Sequence, residues 1–101
     1  MIARIWHGIT PTRKADEYVL YLNKTGVKDF QATEGFLGAH VLRRIEGKQA
    51  HFLIVSVWES IEAIKKFAGE EAGIARYYPE DANYLLELEE KVAHYEVMTR
   101  E

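Results

Sequence analysis

Four histidines, His7, His40, His51 and His94, are the only side chains in this sequence that titrate freely near neutral pH, so acid-base chemistry is sought there first. His7 closes the first apolar segment, in phase with Ala3 and Ile5, where a ring is expected to point into the space between a sheet and its helices. It is the first candidate for a catalytic base. His40, His51 and His94 lie inside or at the start of other apolar segments, where a histidine is more often satisfied by its sheet neighbours than by a ligand. No two of the four stand at the close helical spacing of a metal site and cysteine is absent, so no metal centre is expected. Serine occurs only at Ser56 and Ser60, neither in a nucleophile-elbow sequence, and glycines come singly rather than as a phosphate-binding loop.

Aromatic residues form the second chemical group. Trp6, Trp58, Phe67, Tyr77 and Tyr78 would serve core packing in most proteins, since aromatic side chains dominate cores. Tyr77-Tyr78-Pro79 says more. Two adjacent tyrosines before a proline face different directions, so at least one hydroxyl is free to line the mouth of a pocket. Trp6, Phe67, Tyr78 and His51 would then form the walls of a binding site for a flat hydrophobic molecule, with His7 and Tyr77 nearest its chemistry.

These residues need elements to hold them. Residues 2–9 are β-branched and aromatic and end at Thr10-Pro11, which reads as a strand followed by a helix capped by Thr10, with Pro11 in its first turn. Ala15, Tyr18, Val19 and Leu22 recur at helical spacing, and Gly26 ends or kinks that helix. Residues 36–45 and 50–58 are apolar runs joined by Glu46-Gly47-Lys48-Gln49, the signature of an antiparallel hairpin. Ser60 caps a helix carrying Ile61, Ile64, Phe67 and Ala68 on one stripe, and a second helical piece is predicted over residues 74–78. Residues 80–90 are ambiguous between loop and strand, and residues 92–98 form the fourth strand.

The order strand-helix-strand-strand-helix-strand predicts one α+β, ferredoxin-like domain over residues 1–101: an antiparallel sheet with both helices on one face. A bare second face should alternate with polar residues. Phe52-Leu53-Ile54-Val55, Ile5-Trp6, Val41-Leu42 and Val57-Trp58 are instead apolar at both parities. The chain has no third layer to cover that face, so a homodimer packed sheet to sheet is expected.

Composition narrows the partners. With 48% apolar residues, 29% charged and a net charge of −3, the chain suits a globular fold and lacks the positive field that draws proteins to nucleic acid. An RNA-recognition domain shares the element order, but residues 50–56 lack the glycine and spaced aromatics of its third strand. No apolar run reaches membrane-spanning length and no signal peptide is evident at the N-terminus. A cytoplasmic protein with no membrane partner is expected.

Thr10-Pro11 after the first strand, Gly35-Phe36-Leu37-Gly38 leading into the second, and Val57-Trp58-Glu59-Ser60 before a helix resemble the antibiotic biosynthesis monooxygenase family over nearly the whole chain. The Trp-Glu-Ser step, with Phe67 nine residues beyond Trp58, is the most specific part. The resemblance implies a dimeric α+β barrel with a small pocket in each subunit between sheet and helices. It also implies a choice of chemistry. The haem-degrading branch would have asparagine at His7, tryptophan at Phe67 and histidine at Tyr77, and all three differ here. The remaining branch implies a cofactor-independent monooxygenase of small electron-rich aromatics, of quinol or polyketide type. In that reading His7 is the base, Tyr77 and Tyr78 are hydrogen-bonding partners, and Trp6 and Phe67 are walls. The alternative is a ligand-binding protein of the same fold without catalysis.

Overall fold

The computed structural model describes all 101 residues. Its sheet has four antiparallel strands, β1 (Ile2–Pro11), β2 (Phe36–Glu46), β3 (Gln49–Trp58) and β4 (Ala93–Glu96), in the order β2-β3-β1-β4. Three helices, α1 (Ala15–Lys24), α2 (Gly26–Gln31) and α3 (Ile61–Ala68), cover one face. This is the expected α+β ferredoxin-like arrangement.

The parity of the strands decides which side chains meet the helices. On β1 the buried residues are Arg4, Trp6, Gly8 and Thr10, and on β3 they are Ala50, Phe52, Ile54, Ser56 and Trp58. These interleave with Ala15, Tyr18, Tyr21 and Leu22 of α1, Phe30 of α2, and Ala63, Ile64 and Phe67 of α3 to make the core. The odd positions face the other way. Ile5, His7, Leu53, Val55 and Val57, with Leu42 opposite Leu53 on β2, lie on a face that no helix covers.

Gly47 turns the β2-β3 hairpin at φ 59°, a left-handed conformation that glycine adopts without steric cost. Ser60 caps α3 as expected, its side chain accepting a hydrogen bond from the Ala63 N–H. Thr10 does not cap a helix. The β1-β3 ladder runs on to Pro11 opposite Gln49, and the Thr12 N–H donates to the Lys48 carbonyl, so the chain stays extended there. A single 3-10 turn at Thr12–Lys14 then leads into α1.

Residues 74–78 are not helical either. Ile74 bridges Lys91, the Ala75 N–H donates to the Glu90 carbonyl, and the Val92 N–H donates to the Gly73 carbonyl, which commits this backbone to a neighbouring segment. The fourth strand is only four residues long because β4 pairs with Ile2, Ala3, Arg4 and Ile5 alone. Beyond Ile5 the edge of β1 is met by the loop before β4, where the Leu86 N–H donates to the Ile9 carbonyl.

Candidate functional site

A narrow cleft with ≈ 30 Å³ of free space, room for about one water molecule, lies between the helices and the covered face of the sheet. Trp6 and Ile54 form its floor from the sheet, Tyr18 and Leu22 come from α1, Phe30 from α2 and Phe67 from α3. Trp6 can lie there because of its neighbour. A Cβ on Gly8 would stand 2.4 Å from Cη2 of the indole and 2.9 Å from Leu85, so only glycine lets the ring cross the strand.

The polar groups of the cleft fall into two sets. Tyr18 donates its hydroxyl to Asp81 at 2.8 Å, and the Tyr78 N–H donates to the other oxygen of the same carboxylate at 2.6 Å. Tyr78 donates its hydroxyl to Asp29, which also meets the Arg76 guanidinium at 3.3 Å. Arg76 in turn lies 4.9 Å from the ring centres of both Phe67 and Tyr78, a cation-π arrangement. Burial, and then the neighbouring carboxylate, push the Tyr18 and Tyr78 phenols well above the ordinary range; for Tyr78 the hydrogen bond to Asp29 ranks directly after burial. Both are therefore neutral donors at physiological pH.

Arg4 stands apart. It is 3% exposed, its guanidinium carbon lies 5.5 Å from the centre of the Phe67 ring, and its Nε and Nη2 are buried without a hydrogen-bond partner. Burial lowers its pKa to about 10, with a small opposing effect from Tyr78, so it remains a cation at neutral pH. Across the β1-β4 ladder its partner in register is His94, whose Nε2 is also buried and unpartnered.

The predicted residues divide between the two faces of the sheet. Trp6, Phe67 and Tyr78 line the cleft together. Tyr77 packs edge-on against Trp6 with ring centres 6.4 Å apart, and donates its hydroxyl to the Glu89 carbonyl rather than into the cleft. Burial raises its pKa as well. His7 does not point between sheet and helices, because its parity is opposite to that of Trp6. Its Nδ1 meets Glu89 at 2.5 Å and its Nε2 lies 3.3 Å from Nδ1 of His51, on the helix-free face. The two imidazoles stack with centres 5.6 Å apart, and with Leu42, Arg44 and Leu53 they border a shallow depression there. His7 and Tyr77 thus share Glu89, His7 on the helix-free face of β1 and Tyr77 against Trp6 on the covered one.

Sequence reasoning passed over Arg4, Arg76, Asp29 and Asp81. Arg4 carried a usable signal: it is the one charged residue in β1, and it is in phase with Trp6. The carboxylates carried none, since their partners lie 49 and 63 positions away in the chain.

A two-layer α+β domain with an aromatic cleft between its layers is thus the class that fold and site define. The model of the antibiotic biosynthesis monooxygenase family matches residues 8–73, and the chain belongs to that family. No curated protein matches it. Among solved structures, it resembles a candidate antibiotic biosynthesis monooxygenase from Bacillus cereus with a TM-score of 0.69 and 17% identity, covering 99% of this chain and 95% of that one. The heme-degrading protein MhuD of Mycobacterium tuberculosis, in a structure with two hemes bound in its active site, gives a TM-score of 0.61 at 22% identity, covering 99% and 98%. A conserved protein from Methanosarcina mazei gives 0.65 at 15%, covering 93% and 89%. At these identities the likeness is one of fold.

Proposed function

We propose that this protein is a cofactor-independent monooxygenase acting on a small electron-rich aromatic bound in the cleft between sheet and helices. The observation that carries the reading is the lining of that cleft: Trp6, Tyr18, Phe30, Phe67 and Tyr78 converge on it, and a flat substrate enters as these aromatic walls part to widen the ≈ 30 Å³ they enclose. Ring faces there exclude water from a reacting carbanion or phenolate, which lengthens its life against reprotonation.

The proton acceptor in this reading is the Tyr78-Asp29 pair in place of His7. A substrate hydroxyl donating to Tyr78 Oη passes its proton to that oxygen as the tyrosine's own proton moves to Asp29, so Tyr78 begins and ends neutral. Asp29 is 42% exposed at its side chain and hands the proton to water. The substrate anion then gives one electron to dioxygen, the two radicals join in a carbon-oxygen bond, the peroxide anion so formed takes a proton back from water, and the resulting hydroperoxide loses water. One oxygen atom stays on the oxidised carbon as a carbonyl and the other leaves as water, with all electrons supplied by the substrate.

What MhuD binds fits this cleft poorly. Haem iron is ordinarily held by histidine, cysteine, methionine or tyrosinate. The cleft has none of the first three, and its tyrosines 18 and 78 are protonated and committed to carboxylates. A ring without iron is the better occupant.

The homodimer belongs to the same proposal. Leu42 is 47% exposed and Leu53 38% on the helix-free face, contiguous with Ile5, Val55 and Val57, and a second copy covers that patch with the same residues. No helix is long and apolar enough to cross a membrane. A chain without cysteine is compatible with the reducing cytoplasm, which the proposal takes as the working compartment.

Dioxygen uptake with a panel of hydroquinones and anthrones tests the reading. Consumption of one dioxygen per carbonyl formed, reduced roughly a hundredfold in Tyr78→Phe, supports it. Saturable binding of the same compounds with no uptake points instead to a ligand-binding protein.

A further inference from the structure

We propose that His7 and His51 form a zinc site on the helix-free face of the sheet, each imidazole oriented by a carboxylate and the open positions held by water. The site lies outside the cleft and stands whatever the cleft binds.

The two rings meet because of strand register. His7 stands opposite Leu53 and His51 opposite Ile9 in the β1-β3 ladder, so the histidines are diagonal neighbours on one face. Helical spacing gives no sign of such a pair, which the ladder joins across 44 residues. Their side chains are 34% and 24% exposed and border a depression with ≈ 280 Å³ of free space, so an ion and its waters have both access and room.

An anion stands at the far side of each ring. Glu89 meets Nδ1 of His7 at 2.5 Å, and Glu46 lies 3.8 Å from Nε2 of His51. A carboxylate there draws the imidazole N–H to itself, which is how metal-bound histidines are ordinarily held in one tautomer. Nε2 of His7 and Nδ1 of His51 are then left as two lone pairs 3.3 Å apart, and they repel unless a cation lies between them. The distance selects the cation. A proton shared between the rings would make a charge-assisted hydrogen bond, which runs about 2.7 to 2.9 Å. Zinc held tetrahedrally at about 2.0 to 2.1 Å from each nitrogen sets the two about 3.3 Å apart, whereas the right angle of a six-coordinate ion brings them to about 2.9 Å. The neighbouring charges admit a cation. Arg44 is paired with Glu46 and Arg43 with Asp16, while Glu89 adds a negative charge beside His7. No third imidazole or carboxylate converges on the same point, so water completes the coordination.

Calorimetric titration of the untagged, chelator-stripped protein with zinc chloride at neutral pH tests the site. One zinc ion per chain is expected. Glu89→Gln keeps both ligands and removes the charge that orients His7, so affinity should fall about tenfold. His7→Ala and His51→Ala each remove a ligand and should lose more, while His40→Ala and His94→Ala should bind as the parent does. Thermal unfolding gives a second readout: zinc should raise the Tm of the parent and leave that of His51→Ala unchanged. Cobalt(II) in place of zinc reports the geometry in the unaltered chain, where the strong visible absorption of a four-coordinate ion is expected. Absence of zinc binding by the parent, or affinity that survives in both His7→Ala and His51→Ala, overturns the inference and leaves a proton between the rings. The faint spectrum of six-coordinate cobalt overturns it as well, because the 3.3 Å separation would then not be the edge of a tetrahedral site.

Discussion

The two faces of the sheet are built from the same strands, yet they are finished differently. On the covered face, helices α1, α2 and α3 bury an aromatic core around a cleft where Asp81 and Asp29 accept hydrogen bonds while Arg4, unlike Arg76, has no partner. On the helix-free face the polar groups answer one another: Glu89 meets His7, His7 meets His51, and Glu46 lies 3.8 Å from His51, while the aliphatic residues between them stay exposed. Unmet hydrogen bonds mark one face and unmet apolar area the other. The second calls for a broad apolar surface.

Substitutions at two positions on β3 break that contrast most sharply. Phe52 faces the helices, is fully buried and packs edge-on against Tyr18 at 5.3 Å, so Phe52→Ala should cost about 3 to 5 kcal/mol of stability. Val55 faces the other way, three residues along the same strand. Val55→Lys should leave the far-ultraviolet circular dichroism of the fold intact and reduce the mass in light scattering from about twice 11.7 kDa to a single chain. A parent protein that is monomeric at micromolar concentration would remove the dimer from the proposal.

The next test separates His7 from Tyr78. If the chemistry belongs to the covered face, Tyr78→Phe should lower kcat by roughly a hundredfold, and His7→Ala should keep it within about threefold. The opposite ranking would return the role of base to the helix-free face, with Glu89 orienting the His7 ring.

That misplacement of His7 shows what was readable in the sequence. Apolar residues at both parities of β1 and β3 marked the strands, because that depends on side-chain type alone. The same two-sided pattern hid which parity meets the helices: with Ile5 and Trp6 both apolar, His7 could be phased with either. Arg4 does not break the tie by itself, since a lone cation in phase with Trp6 marks a candidate site residue without saying which parity the helices cover. Trp6, Phe67 and Tyr78 were legible as walls from their bulk and position. Asp29 and Asp81 were not, because a carboxylate's partner across dozens of residues leaves no local trace. The helix read over residues 74–78 failed for a related reason, its backbone being claimed by residues 90–92.

Smaller effects should follow from the bonded groups on each side. Tyr18→Phe removes the donor to one oxygen of Asp81, which is 4% exposed, and should cost about 1 to 3 kcal/mol in chemical denaturation. Glu89→Gln weakens a pair in which both side chains are about a third exposed, and should cost less than about 1 kcal/mol. Equal costs would show that the two faces are equally shielded, against the division drawn here.

The smallest effect concerns His94, and it links stability to the unanswered charge beside it. Burial, and then repulsion by Arg4, lower its pKa below the ordinary 6.5. Above that value His94 is neutral in both folded and unfolded chains and its contribution to stability is complete. As the pH falls through it, the unfolded chain takes up the proton first, so stability declines until the folded pKa is reached and the decline stops. The Tm of the parent should therefore fall more steeply between about pH 7.5 and 5.5 than that of His94→Gln, the other three histidines contributing alike to both. Equal slopes in the two proteins would mean that burial and Arg4 leave the protonation of His94 unhindered in the fold.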